Sequence, residues 1–241
     1  MIRSNRRVLV FSAHAADFCS RSGGAIIRFV DEGCDVKIYD LTYGEKCESP
    51  LLWNENREIT VAEVKEIRRE EIEAAAAVLG APIECLDFDD SPLLVGPERR
   101  AQILEVIRAF QPDVVLCHWI NDYLHPDHVE AMNGVIWASR YCFRPGIKTD
   151  YPPCLAPEIV CYEPIAGIGP VVGYKPNLYV DITAVWERKA EALRALASQP
   201  ELPERYETIG RYRAVEAQIC ANMKKSQVAE AFVRLGVEAA P

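Results

Sequence analysis

Val8-Leu9-Val10-Phe11-Ser12-Ala13-His14-Ala15-Ala16-Asp17 runs from four apolar residues into a histidine and an aspartate three positions apart. A short apolar run without polar alternation reads as a strand buried on both faces, as in a parallel sheet. The chain then changes period. Gly23 to Glu32 reads as a helix closed by Gly33, Val36 to Leu41 as a second strand, and Val61 to Leu79 as a long helix stopped by Gly80 and Pro82. Ile83 to Leu86, Glu98 to Phe110, Val114 to Cys117 and about Asp127 to Tyr141 repeat strand, helix, strand, helix. This alternation predicts an α/β, Rossmann-like three-layer fold with a mainly parallel sheet.

Beyond Phe143 the pattern loosens. Residues 144–157 hold four prolines and read as a loop, a candidate lid or subunit contact. Ile159 to Tyr162 and Leu178 to Val180 read as strands. Ala184 to Ala197 reads as an amphipathic helix capped by Thr183, and the remainder as helical. Trp186 is a candidate for the core or for an interface. No repeat or linker interrupts the chain, so residues 1–241 are expected to form one domain.

With 241 residues and 49% hydrophobic composition, the chain can bury a core of ordinary size. The net charge of -9 disfavours nucleic acid and anionic membrane surfaces as partners, since both need basic patches. A small anionic substrate stays open, because a few arginines in a pocket outweigh a distant field. Nine cysteines without a CxxC pair indicate neither a disulfide framework nor a cysteine metal cage. The N-terminal apolar run is too short for a signal peptide or a membrane span, so a cytoplasmic protein is expected.

Open parallel sheets bind ligands beyond the carboxyl ends of their strands. Three polar stretches follow apolar runs: Ala13 to Asp17, Thr42 to Ser49, and His118 to His128. All four histidines (14, 118, 125 and 128) lie on this edge. The spacing of His14 to Asp17 recurs in His125-Pro126-Asp127-His128. Two imidazoles and one carboxylate leave a coordination position open, which characterises a catalytic zinc-type site.

These motifs resemble those of the LmbE-like, or PIG-L, zinc-dependent deacetylases. The family pattern A-H-P-D-D-E corresponds to Ala13-His14-Ala15-Ala16-Asp17-Phe18, followed by Gly23-Gly24, and H-P-D-H is intact at 125–128. Gly44-Glu45 and the Arg68 to Glu71 helix also match. The resemblance implies that His14, Asp17 and His128 bind the metal. It places His125 beside it as acid or electrostatic stabiliser and Asp127 behind a histidine. It puts Arg68, Asp90 and Tyr123 along the substrate pocket. Zinc is the implied ion, and iron(II), cobalt(II) and manganese(II) suit the same ligands. Relatives of this kind are often homo-oligomers, so one is expected here.

One departure is decisive. The position of the deacetylase general base is Ala16, and loss of a general base typically lowers rate by about 10²–10⁴. This segment, with Arg21 and Gly44-Glu45-Lys46-Cys47-Glu48-Ser49 before Leu52-Trp53, is similar to the 4-oxalomesaconate hydratase branch of the family. That branch adds water to a C=C bond of an oxo-tricarboxylate in gallate and protocatechuate breakdown. A polycarboxylate suits Arg21 and Arg68, since a guanidinium binds a carboxylate through two parallel hydrogen bonds. Glu48 is the favoured base, with Glu45 second or else structural, bonding amides of the first loop. His125, an imidazole able to exchange protons near neutrality, is the acid, and Tyr123 can donate to a developing oxyanion. Two other functions stay open: a deacetylase of an N-acetylated sugar using Glu48 or Glu45, and a metal-bound, non-catalytic binding protein.

Overall fold

Along the first strand, β1 (Arg7–Ser12), Val8 and Val10 point into one apolar cluster while Leu9 and Phe11 point into another. That period of two is what a strand between two layers requires. The structure is a computed structural model describing residues 2–164 and 169–236. After β1 come α1 (Asp17–Asp31), β2 (Asp35–Asp40), α2 (Pro50–Glu55), α3 (Val61–Leu79), β3 (Ile83–Cys85), α4 (Pro97–Phe110) and β4 (Val114–Cys117). Then follow α5 (Pro126–Tyr141), β5 (Glu158–Tyr162), β6 (Leu178–Asp181), α6 (Trp186–Ala195), α7 (Leu202–Cys220) and β7 (Ala229–Leu235).

The strands form one sheet in the order β3-β2-β1-β4-β5-β7-β6. The first five pair in parallel, while β7 runs antiparallel to both β5 and β6. Helices α1, α3 and α6 pack together on one face, and α4 with α5 on the other. The α/β three-layer expectation is met.

Three local expectations are corrected, and one element is added. The first helix starts at Asp17 rather than Gly23, because an acidic side chain in the first turn complements the helix dipole. A short helix, α2, follows Ser49 with Pro50 at its start. Thr183 does not cap the next helix; its hydroxyl accepts the amides of Gln227 and Val228 instead. The tail expected to be helical contains β7. Its alternation is blurred by Ala229, Ala231 and the buried Glu230. Trp186 belongs to the core.

Glu230 explains how β7 is held. Its carboxylate accepts the amides of Gly24 and Ala25 (both 2.8 Å) and pairs with Lys189 Nζ at 2.7 Å. Lys189 also donates to the Ser20 carbonyl (2.7 Å), so α1, α6 and β7 share one buried polar knot. Such a knot is tolerated because every charge in it is paired and hydrogen-bonded. Gly24 lies against it: a Cβ there would stand 2.5 Å from Ile182 Cγ2. Gly24→Ala should therefore lower stability by about 1–3 kcal/mol, the usual size of an overpacking strain. Urea unfolding with an unchanged slope and a lower midpoint is the expected result.

Candidate metal and acid–base site

The carboxyl ends of β1 and β4 lie side by side where the strand order reverses, the crevice in which such sheets collect ligands. After β1 the chain turns tightly. The Asp17 amide donates to the His14 carbonyl (3.2 Å), and the Asp17 carboxylate folds back to accept the His14 amide (3.1 Å). After β4, Pro126 opens α5 and sets His128 in its first turn.

His14 is fully buried. Its Nε2 faces Asp127 Oδ2 at 3.3 Å and Asp90 Oδ1 at 3.4 Å. Both aspartates are anchored, Asp127 by the amides of Ser91 and Leu93, Asp90 by those of Lys46 and Cys47. A carboxylate can only accept, so Nε2 carries a proton and Nδ1 is the nitrogen left for a metal ion. That Nδ1 lies 3.4 Å from Asp17 Oδ2 and 3.7 Å from Glu48 Oε1. His128 has the complementary arrangement. Its Nδ1 donates to Asp122 Oδ2 at 2.8 Å, leaving Nε2 3.5 Å from the same Asp17 oxygen.

His14 Nδ1 and His128 Nε2 are buried with no hydrogen-bond partner among the described residues. Donor atoms around a tetrahedral zinc ion stand about 3.3 Å apart for bonds of about 2.0 Å, close to the separations observed here. The field agrees. Burial opposes a charge on His14, but Glu48, Asp127, Asp17 and Asp90 outweigh it and hold its pKa well above the usual value. These carboxylates favour a positive charge at this point. Burial would raise Asp17, yet His128, His118 and Arg21 pull it well below the ordinary carboxylate range, so it stays ionised. Donors of His14, Glu48, His125 and His128 converge here, and those of Asp17, His118 and His128 beside them, so the residues present fit a divalent cation.

His118 also reaches Asp17 Oδ2, at 3.5 Å. Its Nε2, however, accepts the Ala13 amide (2.8 Å), so that lone pair is already engaged. Burial and then His128 push its pKa well down. His118 thus acts as a neutral tie between the β1 turn and the end of β4, stacked on His128 at 3.9 Å.

A cavity of ≈ 410 Å³ opens beside these groups, lined by Ala16, Asp17, Arg21, Glu48 and His125 and closed by the corner between α6 and α7. Gly44, at φ +64, lets the loop after β2 curl so that the Glu48 amide bonds back to the Gly44 carbonyl. Glu48 Oε1 then sits 4.0 Å from His125 Nε2, while its Oε2 is buried with no partner among the described residues. Burial and the nearby Asp17 charge raise the Glu48 pKa. Burial, His128 and His14 push His125 down to about 4, so its ring is neutral near neutrality. That corrects the expectation of an imidazole titrating there.

Arg21 lines the cavity, donates Nε to Asp17 Oδ1 (2.9 Å) and Nη1 to the Glu163 carbonyl (2.6 Å). Asp127 stands behind His14, as expected. Four other expectations are corrected. Arg68 is fully buried and directed at Glu71, Tyr43 and Gln199 rather than at the cavity. Asp90 braces the Lys46–Cys47 loop and His14. Tyr123 is 57% exposed and does not line the cavity. The Glu45 carboxylate lies near Lys65 Nζ at 3.5 Å, and bonds no amide of the first loop among the described residues. The loop 144–157 is pinned by the buried Arg108, which donates to the carbonyls of Cys142, Arg144 and Ile147, and does not border this cavity.

The sequence reading missed Asp122, Gln199 and Arg205. Asp122 was detectable only as a carboxylate six residues before His128. Asp122→Asn keeps a hydrogen bond to His128 but removes the charge, so metal affinity should fall about tenfold, the lower end of the effect of losing an orienting carboxylate. Competition with a chelator measures it.

Comparison with known proteins places this geometry in context. The PIG-L family, described as GlcNAc-PI de-N-acetylase, matches residues 9–139. A 4-oxalmesaconate hydratase of Pseudomonas putida (strain KT2440) is 36% identical over 217 residues, covering 88% of this chain and 81% of the relative. A diacetylchitobiose deacetylase of Thermococcus kodakarensis is 32% identical over 198 residues, covering 80% and 70%. The crystal structure of the 4-carboxy-2-hydroxymuconate hydratase of Pseudomonas putida KT2440 superposes with a TM-score of 0.91 at 32% identity, over 98% of each chain. Sequence motifs, sheet topology and these matches converge: the chain belongs to the PIG-L family.

Proposed function

We propose that this enzyme is a metal-dependent hydratase that adds water across the conjugated C=C bond of an oxo-tricarboxylate of the 4-oxalomesaconate type. One observation carries the reading. Where the amide hydrolases of the family keep their base, the cavity wall is Ala16, and the carboxylate facing the cavity with an unpartnered oxygen is Glu48. The likeness to hydratases in sequence and fold supports it.

A divalent cation held by His14, Asp17 and His128 would supply Lewis acidity toward the substrate oxygens or water when bound. The donor set supports zinc, with iron(II), cobalt(II) and manganese(II) compatible. Asp127 and Asp90 keep His14 in the Nε2–H form, and Asp122 keeps His128 in the Nδ1–H form. Glu48, its pKa raised by burial, takes a proton from water as the oxygen adds to one alkene carbon. Glu48 then delivers that proton to the adjacent carbon, so the C=C π bond is exchanged for one C–O and one C–H bond, while the neutral His125 ring orients the water. Glu48 and His125 are 4.0 Å apart, so a shift of about 1 Å brings them into hydrogen-bond reach, where the ring can steer the carboxyl group. Arg21 offers its guanidinium to a substrate carboxylate while holding Asp17.

The test supplies 4-oxalomesaconate or its enol tautomer to metal-loaded protein and follows the loss of the conjugated chromophore. Absence of turnover sinks the hydratase reading. The deacetylase relative favours a second reading, in which Glu48 activates water for amide hydrolysis. Acetate release from N-acetylglucosamine conjugates, without hydration, would establish that one.

A further inference from the structure

The α6–α7 corner closes the cavity opposite the acid–base pair, and it contains a donor whose direction is imposed from outside the site. Gln199 lies on this corner and lines the cavity. Its backbone is pinned at both ends, its amide to the Leu196 carbonyl (3.0 Å) and its carbonyl to the Leu202 amide (3.2 Å). Its side-chain Oε1 accepts Arg68 Nη2 at 2.8 Å. Arginine has no acceptor, so the oxygen of this amide must face Arg68 and the NH₂ must face away. No described residue accepts from that NH₂. Arg68 is itself immobile: it is fully buried and bonded to Glu71 at 2.5 Å. Glu71 in turn accepts the amide and hydroxyl of Ser198, the residue before Gln199 (both 2.7 Å).

One helical turn on, Arg205 lines the same cavity. Its side chain is about half exposed, with Glu201 3.5 Å away as its ion partner, an arrangement that holds it weakly. Two donors of one corner, an oriented amide and a loosely held guanidinium, thus face a cavity whose other wall carries Asp17, Glu48 and His125. A hydroxyl or sugar needs no second guanidinium. A carboxylate far from the reacting bond does.

We propose that Gln199 and Arg205 form the wall that binds the distal carboxylate of the substrate, with Arg68 acting as a positioning residue that holds the Gln199 amide donor-side-in. The proposal rests on the hydratase reading for the identity of the substrate, but not for the chemistry of the wall. It also gives Arg68 a role in the site without contact with the ligand.

Gln199→Glu is the sharpest probe. The change is nearly isosteric and strengthens the bond to Arg68, so folding should be kept, with a melting temperature at or above that of the parent. It replaces an N–H donor with an oxygen that repels a carboxylate. Titration of the metal-loaded protein with tricarballylate, an unreactive tricarboxylate, should show affinity lower by about 10–100-fold, the size of a charge-assisted hydrogen bond lost. Arg205→Ala should weaken the same titration by about tenfold, and neither variant should weaken glutarate binding as much. With 4-oxalomesaconate, KM should rise by more than kcat falls. Folded variants that bind tricarballylate as the parent does, absence of binding in the parent included, overturn the proposal. Loss of tricarballylate binding in the variants, in a protein that does not hydrate 4-oxalomesaconate, keeps the wall and removes the hydratase reading alone.

Discussion

Glu48→Gln should lower turnover by about 10²–10⁴ while metal content stays at the parental level. Glu48 reaches both His14 Nδ1 (3.7 Å) and His125 Nε2 (4.0 Å), and its second oxygen is buried without a partner among the described residues. Asp17, the other carboxylate on this cavity wall, is tied to Arg21 and to the His14 amide, and its surroundings hold its pKa well below the ordinary carboxylate range. It is a poor proton acceptor. Glu48 differs because burial and Asp17 raise its pKa, so a proton it has taken stays long enough to be passed on. Glutamine has the same shape and cannot take that proton. Steady-state kinetics together with metal analysis separate the outcomes. Turnover within tenfold of the parent would place the base elsewhere. Loss of metal along with activity would make Glu48 a ligand.

His14→Ala should have the other large effect, on metal and stability together. Its imidazole is the hub around which Asp17, Glu48, Asp90 and Asp127 are arranged, all within 3.3–3.7 Å of a ring nitrogen. Alanine removes one donor and leaves four carboxylates facing a void. The loss of metal affinity should exceed the 10–100-fold that accompanies loss of an outer orienting partner, and activity should fall to background. The metal-free variant should also unfold at lower denaturant than the metal-free parent, because like charges then lie close together away from water. Metal analysis and urea unfolding check the two parts. An equally stable metal-free variant would mean that the carboxylates protonate or move apart without the ring.

Several parts of this molecule are legible in its sequence alone. The apolar run of β1 and the strand-helix alternation up to Tyr141 set the three-layer fold, because burial on both faces leaves no other period for a strand. The short motifs are legible for a similar reason: His14 with Asp17, and Asp127 with His128, lie within one turn of each other, and local geometry brings each pair to the same edge. Ala16 was legible as an absence of a base. By contrast, Arg68, Asp90, Tyr123 and Glu45 were assigned from motif position alone. Each sits in a recognisable pattern, but packing turned Arg68 onto Glu71 and Gln199, and left Tyr123 in solvent. β7 escaped because its partners β5 and β6 are distant in sequence and its inward Glu230 breaks the alternation.

The sequence by itself determined the layer architecture, the binding edge and which histidines and carboxylates lie along it, with alanine at position 16. These depend on periodicity and on contacts within a few residues. Only the tertiary structure decided which carboxylate orients each histidine, that His118 is engaged by the Ala13 amide, and that Gln199 accepts from the buried Arg68. The pairs Ala13–His118 and Arg68–Gln199 are 105 and 131 residues apart. Hydrogen bonds are directional and short, so a donor's partner is fixed only once the sheet and helices have brought those distant segments within about 3 Å.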